Sequence, residues 1–470
     1  MKEIKTLLNN YRPKEISFIK EYYNSRNGVG KKKLKLINLI LNKKCTSNST
    51  ASKVIYNKTP DSSLSQLKKR LKEDLLNFYT LFSFEDHSHD EKDNVELKCL
   101  LLITQSNILV KRGLIDVGIE MLRKANDLAN QYEIYPLCFL TIEKIHSLQA
   151  VNPNHNKSEY CKVELKKTTE AISRYTLLKR LSLDNEISKE KLIRTFCHTD
   201  NNTESVSLKF LFHKSLTQSF KTQKKFQDAA MSATEMISFI KQKPEVISNR
   251  DKVLSFVESA NLHLRLNKYR GAEVYAKTAL KFTENDIFLK FKAYEVYFLA
   301  TFYRLNLDEC YLIYQEVQKN IDIVSDEVKS KWALYGAYLF FVKNDYKESL
   351  KILQKSKFKN TSTSWIFNFR ILELMNILEL KDYDWATYKV ESFRKLVSKH
   401  KEREIDKYVW VYQFFRELLN NSYNYKLTLK KMNIDTWKLK EFMHNYEWNP
   451  LGYELLRPFS WLIQKTSNLG

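Results

Sequence analysis

The chain has 470 residues but only 8 Gly and 7 Pro, well under the usage of about 7 % Gly that β-sandwiches, barrels and nucleotide-binding domains draw on for tight turns and phosphate loops. Its 43 % hydrophobic residues suffice for a sizeable core and exclude disorder over most of the length, so the composition predicts an all-α protein. The net charge of +23, from 78 Lys+Arg against 55 Asp+Glu, favours nucleic acid or acidic partners only modestly, because a Lys/Asn-rich composition also follows from an AT-rich genome.

Residues 1–30 read as a polar lead-in with one apolar helical patch, Ile16 to Tyr23, ended by Gly28 and Gly30. Three helices follow, Leu34–Leu41, Thr50–Tyr56 and Ser62–Phe82, the last entered through the turn Thr59-Pro60-Asp61. Leu64, Leu67, Leu71, Leu75 and Phe78 recur at spacings of three and four and predict its buried stripe. Residues 83–94 are a polar, acidic linker, which sets the first module at 1–82.

From residue 95 to 405 the chain reads as helix pairs. Phe226, Ala229, Ala233 and Met236 form a pattern that returns as Tyr269, Ala272, Ala276 and Ala279, and again as Leu307, Cys310, Tyr314 and Val317. It continues as Tyr346, Ser349, Leu353 and Ser356, then as Tyr383, Ala386, Val390 and Phe393, the opening residues lying 43, 38, 39 and 37 positions apart. Leu114, Val117 and Met121 fit an earlier copy. Each copy follows an apolar helix such as Val253–Leu266 or Lys331–Val342. Residues 157–183 read as a longer basic helix and 184–204 as a polar break. Residues 406–470 are aromatic and non-repeating, with Trp410, Trp437, Trp448 and Trp461, and are expected to cap the last pair.

This pattern resembles the tetratricopeptide repeat. That family places a small residue midway along its first helix, where Ala260 and Ala337 stand, and an aromatic at the start of the second, followed by small residues. The resemblance implies a right-handed superhelix of stacked antiparallel helix pairs. Here the period is longer and irregular, and the family's usual Gly and Pro are mostly missing. The resemblance also implies a concave face lined by first helices and suited to a peptide or protein partner. Aligning the copies puts Lys214, Gln218, Asn261, Arg265 and Tyr338 on that face, where Lys, Arg and Asn can grip a carboxylate and a peptide backbone.

The basic charge is concentrated. Between Lys31 and Lys72 there are twelve basic residues and one acid, Asp61. With its three short helices this segment resembles a helix-turn-helix unit, in which Ser62–Phe82 would be the reading helix and Ser65, Gln66, Lys69 and Arg70 would face outward. Gln66, Lys68, Lys69, Arg70 and Lys72 are then the residues expected to touch nucleic acid, Gln and Arg at base edges and Lys at phosphates. The turn is longer than usual and lacks Gly. The competing expectation is a basic bundle that docks on the repeats.

No catalytic, metal or cofactor site emerges. Asp86-His87-Ser88-His89-Asp90 lacks helix-borne ligand spacing and reads as a solvated loop. Asn27-Gly28-Val29-Gly30-Lys31 fails the phosphate-loop pattern at Ser25 and Lys32. Cys197 and His198 are adjacent and form no nucleophile–base pair by themselves, and His146, His213 and His263 are expected to pack within helices. Cys45, Cys99, Cys138, Cys161, Cys197 and Cys310 form no Cys-x-x-Cys pair and read as reduced thiols of a cytoplasmic protein. The first residues lack the apolar stretch of a signal peptide, and no apolar run nears the ~18 residues that span a bilayer, so no membrane partner is expected. The leading expectation is a non-enzymatic interaction scaffold; the alternative is a nucleic-acid-binding regulator with residues 31–82 as reader and the repeats as sensor.

Overall fold

The computed structural model describes residues 2–42, 48–57, 62–83, 91–151, 158–183, 205–283, 286–356, 362–399, 406–433 and 448–467. The Asp86–Asp90 stretch, Cys45, Cys197, His198, Trp437 and the segment 184–204 lie outside the described residues. Within them the regular structure is helical throughout. In chain order the α-helices are α1 (Lys2–Asn10), α2 (Pro13–Asn24), α3 (Val29–Leu41), α4 (Asn48–Tyr56), α5 (Ser62–Ser83), α6 (Glu91–Lys111), α7 (Ile115–Gln131), α8 (Tyr135–Val151) and α9 (Ser158–Leu183). They continue as α10 (Val206–Thr222), α11 (Phe226–Gln242), α12 (Asn249–Arg265), α13 (Tyr269–Leu280), α14 (Ile287–Tyr303), α15 (Leu307–Gln318) and α16 (Asp326–Val342). The last are α17 (Tyr346–Lys355), α18 (Thr363–Glu379), α19 (Tyr383–Lys399), α20 (Asp406–Asn420), α21 (Tyr425–Lys431) and α22 (Pro458–Ser467). Two compact units divide the chain, Met1–Thr168 and Thr169–Gly470.

In the first unit, α1 to α5 share one core. All five stripe residues of α5, from Leu64 to Phe78, are buried in it, together with Ile4, Leu8, Ile19, Tyr23, Leu36 and Ile37. The sequence reading of this region needs two corrections. Lys2–Asn10 is helical and packs through Ile4 and Leu8, a short amphipathic segment hidden by its polar flanks. Gly30 stands in the first turn of α3 rather than ending α2, and a Cβ there would stand 2.7 Å from the Arg26 Cβ, so the tight connection that folds back on α3 requires glycine. A second core, around Cys99, Ile119, Leu122, Ala125, Cys138 and Ile142, joins α6, α7 and α8.

The second unit is built from helix pairs with one repeated turn. In the pairs α10/α11, α12/α13, α14/α15, α16/α17 and α18/α19 the first helix always has 17 residues. Three residues then lead to a second helix that opens at Phe226, Tyr269, Leu307, Tyr346 or Tyr383, the positions that the sequence pattern marks. Two residues before each opening, Lys224, Asn267, Leu305, Asn344 and Lys381 have φ between 57° and 61°. The next residue's N–H closes back on the first helix: Lys225 on the Phe220 carbonyl at 2.9 Å, Lys268 on His263 at 2.8 Å, and Asp345 on Phe340 at 2.9 Å. This left-handed cap satisfies carbonyls at the helix end and sets the angle at which the second helix folds back. The irregular period arises elsewhere, because the second helices have 17, 12, 12, 10 and 17 residues.

Three residues into each second helix the side chain is small and fully buried: Ala229, Ala272, Cys310, Ser349 and Ala386 are all 0 % exposed. Small residues there let the two helices of a pair close on each other. The copy expected at Leu114, Val117 and Met121 is out of register by one. Leu114 and Val117 are 50 % and 42 % exposed, whereas Gly118, Leu122 and Ala125 are buried. Gly113, at φ +82°, holds the left-handed turn position, so Ile115 opens that helix. Second helices contact the first helix of the next pair, and first helices also contact one another, α12 with α14 and α16 with α18. Pairing of this kind is a tetratricopeptide-like all-α solenoid architecture.

Candidate functional site

On the first-helix side of the second unit, α10, α12 and α14, with Met236 of α11, line a cavity of about 400 Å³. Its floor is apolar, from Met236, Leu254, Val257 and Val296, and its rim is polar. Three of the five residues expected to bind a ligand, Lys214, Gln218 and Asn261, line it. The 17-residue first helices bring them together, since Lys214 and Gln218 lie one turn apart on α10 and Asn261 occupies on α12 the position that Gln218 occupies on α10.

Two ion pairs tie α10 to α12, Lys214 to Asp251 at 2.7 Å and Lys221 to Glu258 at 2.6 Å. The Lys221 ammonium also donates to the Gln218 carbonyl at 3.2 Å, which leaves the Gln218 amide N–H₂ for another acceptor. Glu295 on α14 pairs with Lys331 and accepts from the Tyr335 hydroxyl at 3.5 Å. Burial first, and then the charge of Glu295, pushes the Tyr335 phenol well above its ordinary range. Lys292, also on the rim, is exposed and has no ion-pair partner among the described residues. The hydroxyl of Thr217, a residue 2 % exposed, lines the cavity without a hydrogen-bond partner among the described residues. Thr217, Glu258, Lys292 and Glu295 were not anticipated from sequence. Glu295 was within reach, because it holds on α14 the position that Lys214 holds on α10.

Arg265 does not line this cavity; its guanidinium lies 4.9 Å from the centre of the Phe226 ring. Tyr338 is a correction. It is 1 % exposed and cannot present a side chain to a ligand. Burial first, and then the charge of Glu454, raises its phenol well above the ordinary range.

In the basic module, Gln66, Lys69 and Arg70 are exposed on α5, as are Lys31, Lys32 and Lys35 on α3 and Lys53 on α4. Lys68 donates to Asn48 Oδ1 at 3.2 Å, and Lys72 pairs with Glu3 at 2.8 Å. Lys33 is internal, 2.5 Å from Asp74, which also accepts from the Tyr23 hydroxyl at 2.5 Å. Part of the basic run therefore holds the module together. Among the described residues no cluster of His, Cys, Asp and Glu suits a metal ion, and no helix is long and apolar enough to cross a membrane. Burial raises the thiols of Cys99 to about 11 and of Cys138 and Cys310 to about 12, which leaves them protonated and unreactive at neutral pH.

No protein-family model matches the sequence, and no curated protein matches it either. Among solved structures, NprR in complex with its cognate peptide NprX aligns over 70 % of this chain and 98 % of its own, at 11 % identity and a TM-score of 0.38. A tetratricopeptide repeat protein from Parabacteroides merdae aligns over 70 % and 99 %, at 14 % identity and a TM-score of 0.32. A signal transduction ATPase with a tetratricopeptide repeat sensor from Pyrococcus horikoshii aligns over 93 % of this chain and 54 % of its own, at 15 % identity and a TM-score of 0.24. The turn, register and small-residue contacts of its helix pairs give the second unit a tetratricopeptide-like all-α architecture.

Proposed function

We propose that this protein is a non-enzymatic scaffold that binds a peptide or protein partner along the first-helix face of its second unit. The cavity between α10, α12 and α14 carries the reading. It combines an apolar floor with the amides of Asn261 and Gln218, the unpaired Lys292 and the unsatisfied Thr217 hydroxyl. Amide side chains suit main-chain groups of an extended peptide, and the lysine suits a carboxylate on it. The test is a random-peptide display screen on the full chain, followed by Asn261→Leu and Lys292→Glu. Recovered peptides should lose at least ~10-fold in affinity for the double variant, as the loss of one charge-assisted hydrogen bond implies. Equal binding to both proteins would move the site elsewhere.

A second reading, contact with nucleic acid through the basic module, is favoured by the exposed cations of α3, α4 and α5. Titration of labelled duplex DNA and RNA with the full chain at low salt tests it; absence of binding to either removes it.

A further inference from the structure

The first-helix side of the second unit already holds a peptide, its own. Residues 448–457 run without regular structure before α22 and lie against side chains from α14, α16 and α20. The Trp448 indole meets the Tyr303 ring edge-on, 5.1 Å between centroids. The Tyr303 hydroxyl donates to the Pro450 carbonyl at 2.8 Å. Glu454 pairs with Lys407 of α20, and the Tyr453 ring lies 6.0 Å from the Lys331 ammonium of α16. A turn between Asn449 and Gly452, closed by a 2.9 Å hydrogen bond, and the Trp448 Nε1–H donating to the Glu454 carbonyl at 3.1 Å shape the segment.

A cap on the last pair accounts for α22 but not for this strap. Phe459, Trp461 and Leu462 of α22 are buried, and Glu379 of α18 accepts from Trp461 Nε1 at 2.6 Å and pairs with Lys465 at 2.5 Å. The strap instead reaches back to Tyr303, two pairs before α18/α19. Leu455 is buried in the core of the unit and Pro450 is buried, while most of the other residues are half-buried; aromatic edges, one main-chain hydrogen bond and one ion pair also hold residues 448–454. Those are the interactions by which a groove recognises a peptide. With Leu455 and α22 anchored in the core, residues 448–454 can leave without removing α22 from it.

We propose that the surface formed by Tyr303, Lys331 and Lys407 is a second docking surface, whose resident occupant is the strap. Its partner is a segment of the same chemistry: an indole, a proline two residues later, and a carboxylate within the next turn of chain. This rests on the reading of the second unit as a peptide scaffold and names a partner class that the cavity does not. A tethered occupant competes at an effective concentration in the millimolar range, so the native chain binds such a segment weakly until the strap is loosened.

The experiment uses the full chain and a fluorescein-labelled synthetic peptide of residues 448–457. Trp448→Ala with Glu454→Gln loosens the strap while leaving Tyr303, Lys331 and Lys407 in place. The labelled peptide should bind this variant at least ~10-fold more tightly than the native chain, and adding Lys407→Met should abolish the gain. Circular dichroism and a melting curve establish that each variant is folded. Equal or undetectable binding to the native and loosened proteins, both folded, overturns the proposal and makes the strap a fixed cap. Asn261→Leu and Lys292→Glu should not affect this peptide, so display-library peptides lost in those variants would keep the first reading alive if the strap experiment failed.

Discussion

The Ser349 hydroxyl donates to the main-chain carbonyl of Ala337 at 2.7 Å, twelve residues back and across the pair. The Cys310 thiol faces the Phe298 carbonyl across the same interval at 3.8 Å. In the first unit a Cβ on Gly118 would stand 3.4 Å from the Ser106 carbonyl, again twelve residues back. The fourth residue of these helices, three past the opening, thus lies on the backbone of the helix before it. A larger side chain there would force the two helices apart.

Ala272 occupies that position in α13 and is fully buried. Ala272→Phe should lower stability by ~1–3 kcal/mol through overpacking, whereas Ala272→Ser should be tolerated, since Ser349 fills the same place in α17. Thermal melts of both variants check this. An unchanged melting temperature for the Phe variant would mean that α12 and α13 do not meet at this residue.

Leu305 holds the turn position of the third pair at φ 58° and is 71 % exposed. A branched side chain is strained there, and little packing is lost by removing it. Leu305→Gly should therefore raise stability by up to ~1 kcal/mol, and Leu305→Val should lower it by a similar amount. Chemical denaturation of the two variants should show opposite shifts in midpoint. Shifts in the same direction would mean that backbone strain does not govern the turn.

His213 sits between the rings of Phe212 and Phe239, at 5.2 and 5.6 Å, and burial holds its imidazole below the ordinary value of 6.5. The unfolded chain then takes up a proton at a higher pH than the folded one. The stability linked to His213 is present above about pH 6.5 and is lost as pH falls through the folded value. Denaturation midpoints should fall between about pH 7.5 and 5.5, and His213→Gln should flatten part of that fall. An identical pH dependence in the variant would count against the burial of this imidazole.

Lys69 and Arg70 are exposed on α5, while Leu67 and Leu71 beside them carry its packing. Reversing both cations to Glu should leave the module folded. If the module binds nucleic acid, the slope of log K against log salt should shrink by roughly two units, about 0.9 per lost phosphate contact. An unchanged slope in a protein that does bind nucleic acid would place the contact on another face.

Local chemistry was legible from the residues alone. The openings at Phe226, Tyr269, Leu307, Tyr346 and Tyr383 coincide with helix starts, because a bulky residue followed three later by a small one marks where two helices must close. The same signature stands at Tyr135 with Cys138 and at Tyr425 with Thr428; Tyr135 lacks a neighbour at the usual interval, and Tyr425, though 42 positions after Tyr383, lies in the aromatic stretch read as a cap. What periodicity could not supply was the cover on a face. Tyr338 has the spacing of a first-helix face residue, yet it is buried, and the charge of Glu454, more than a hundred positions later, acts on its hydroxyl. Lys292 and Thr217 were missed for a related reason, since a cavity is made by several helices together and leaves no periodic trace in one.

The constancy of the first helix and its turn, beside the varied length of the second helix, divides the repeats into a side that tolerates change and a side that does not. Residues can be gained or lost in a second helix or in the connection after it, as the lengths from 10 to 17 show, without altering the phase of the next first helix relative to its own turn. One residue removed from a three-residue turn would rotate the following helix by about 100° and swing a bulky side chain onto its partner's backbone. Length variation in relatives of this chain should therefore gather on the second-helix side, leaving the first-helix layer at a fixed pitch.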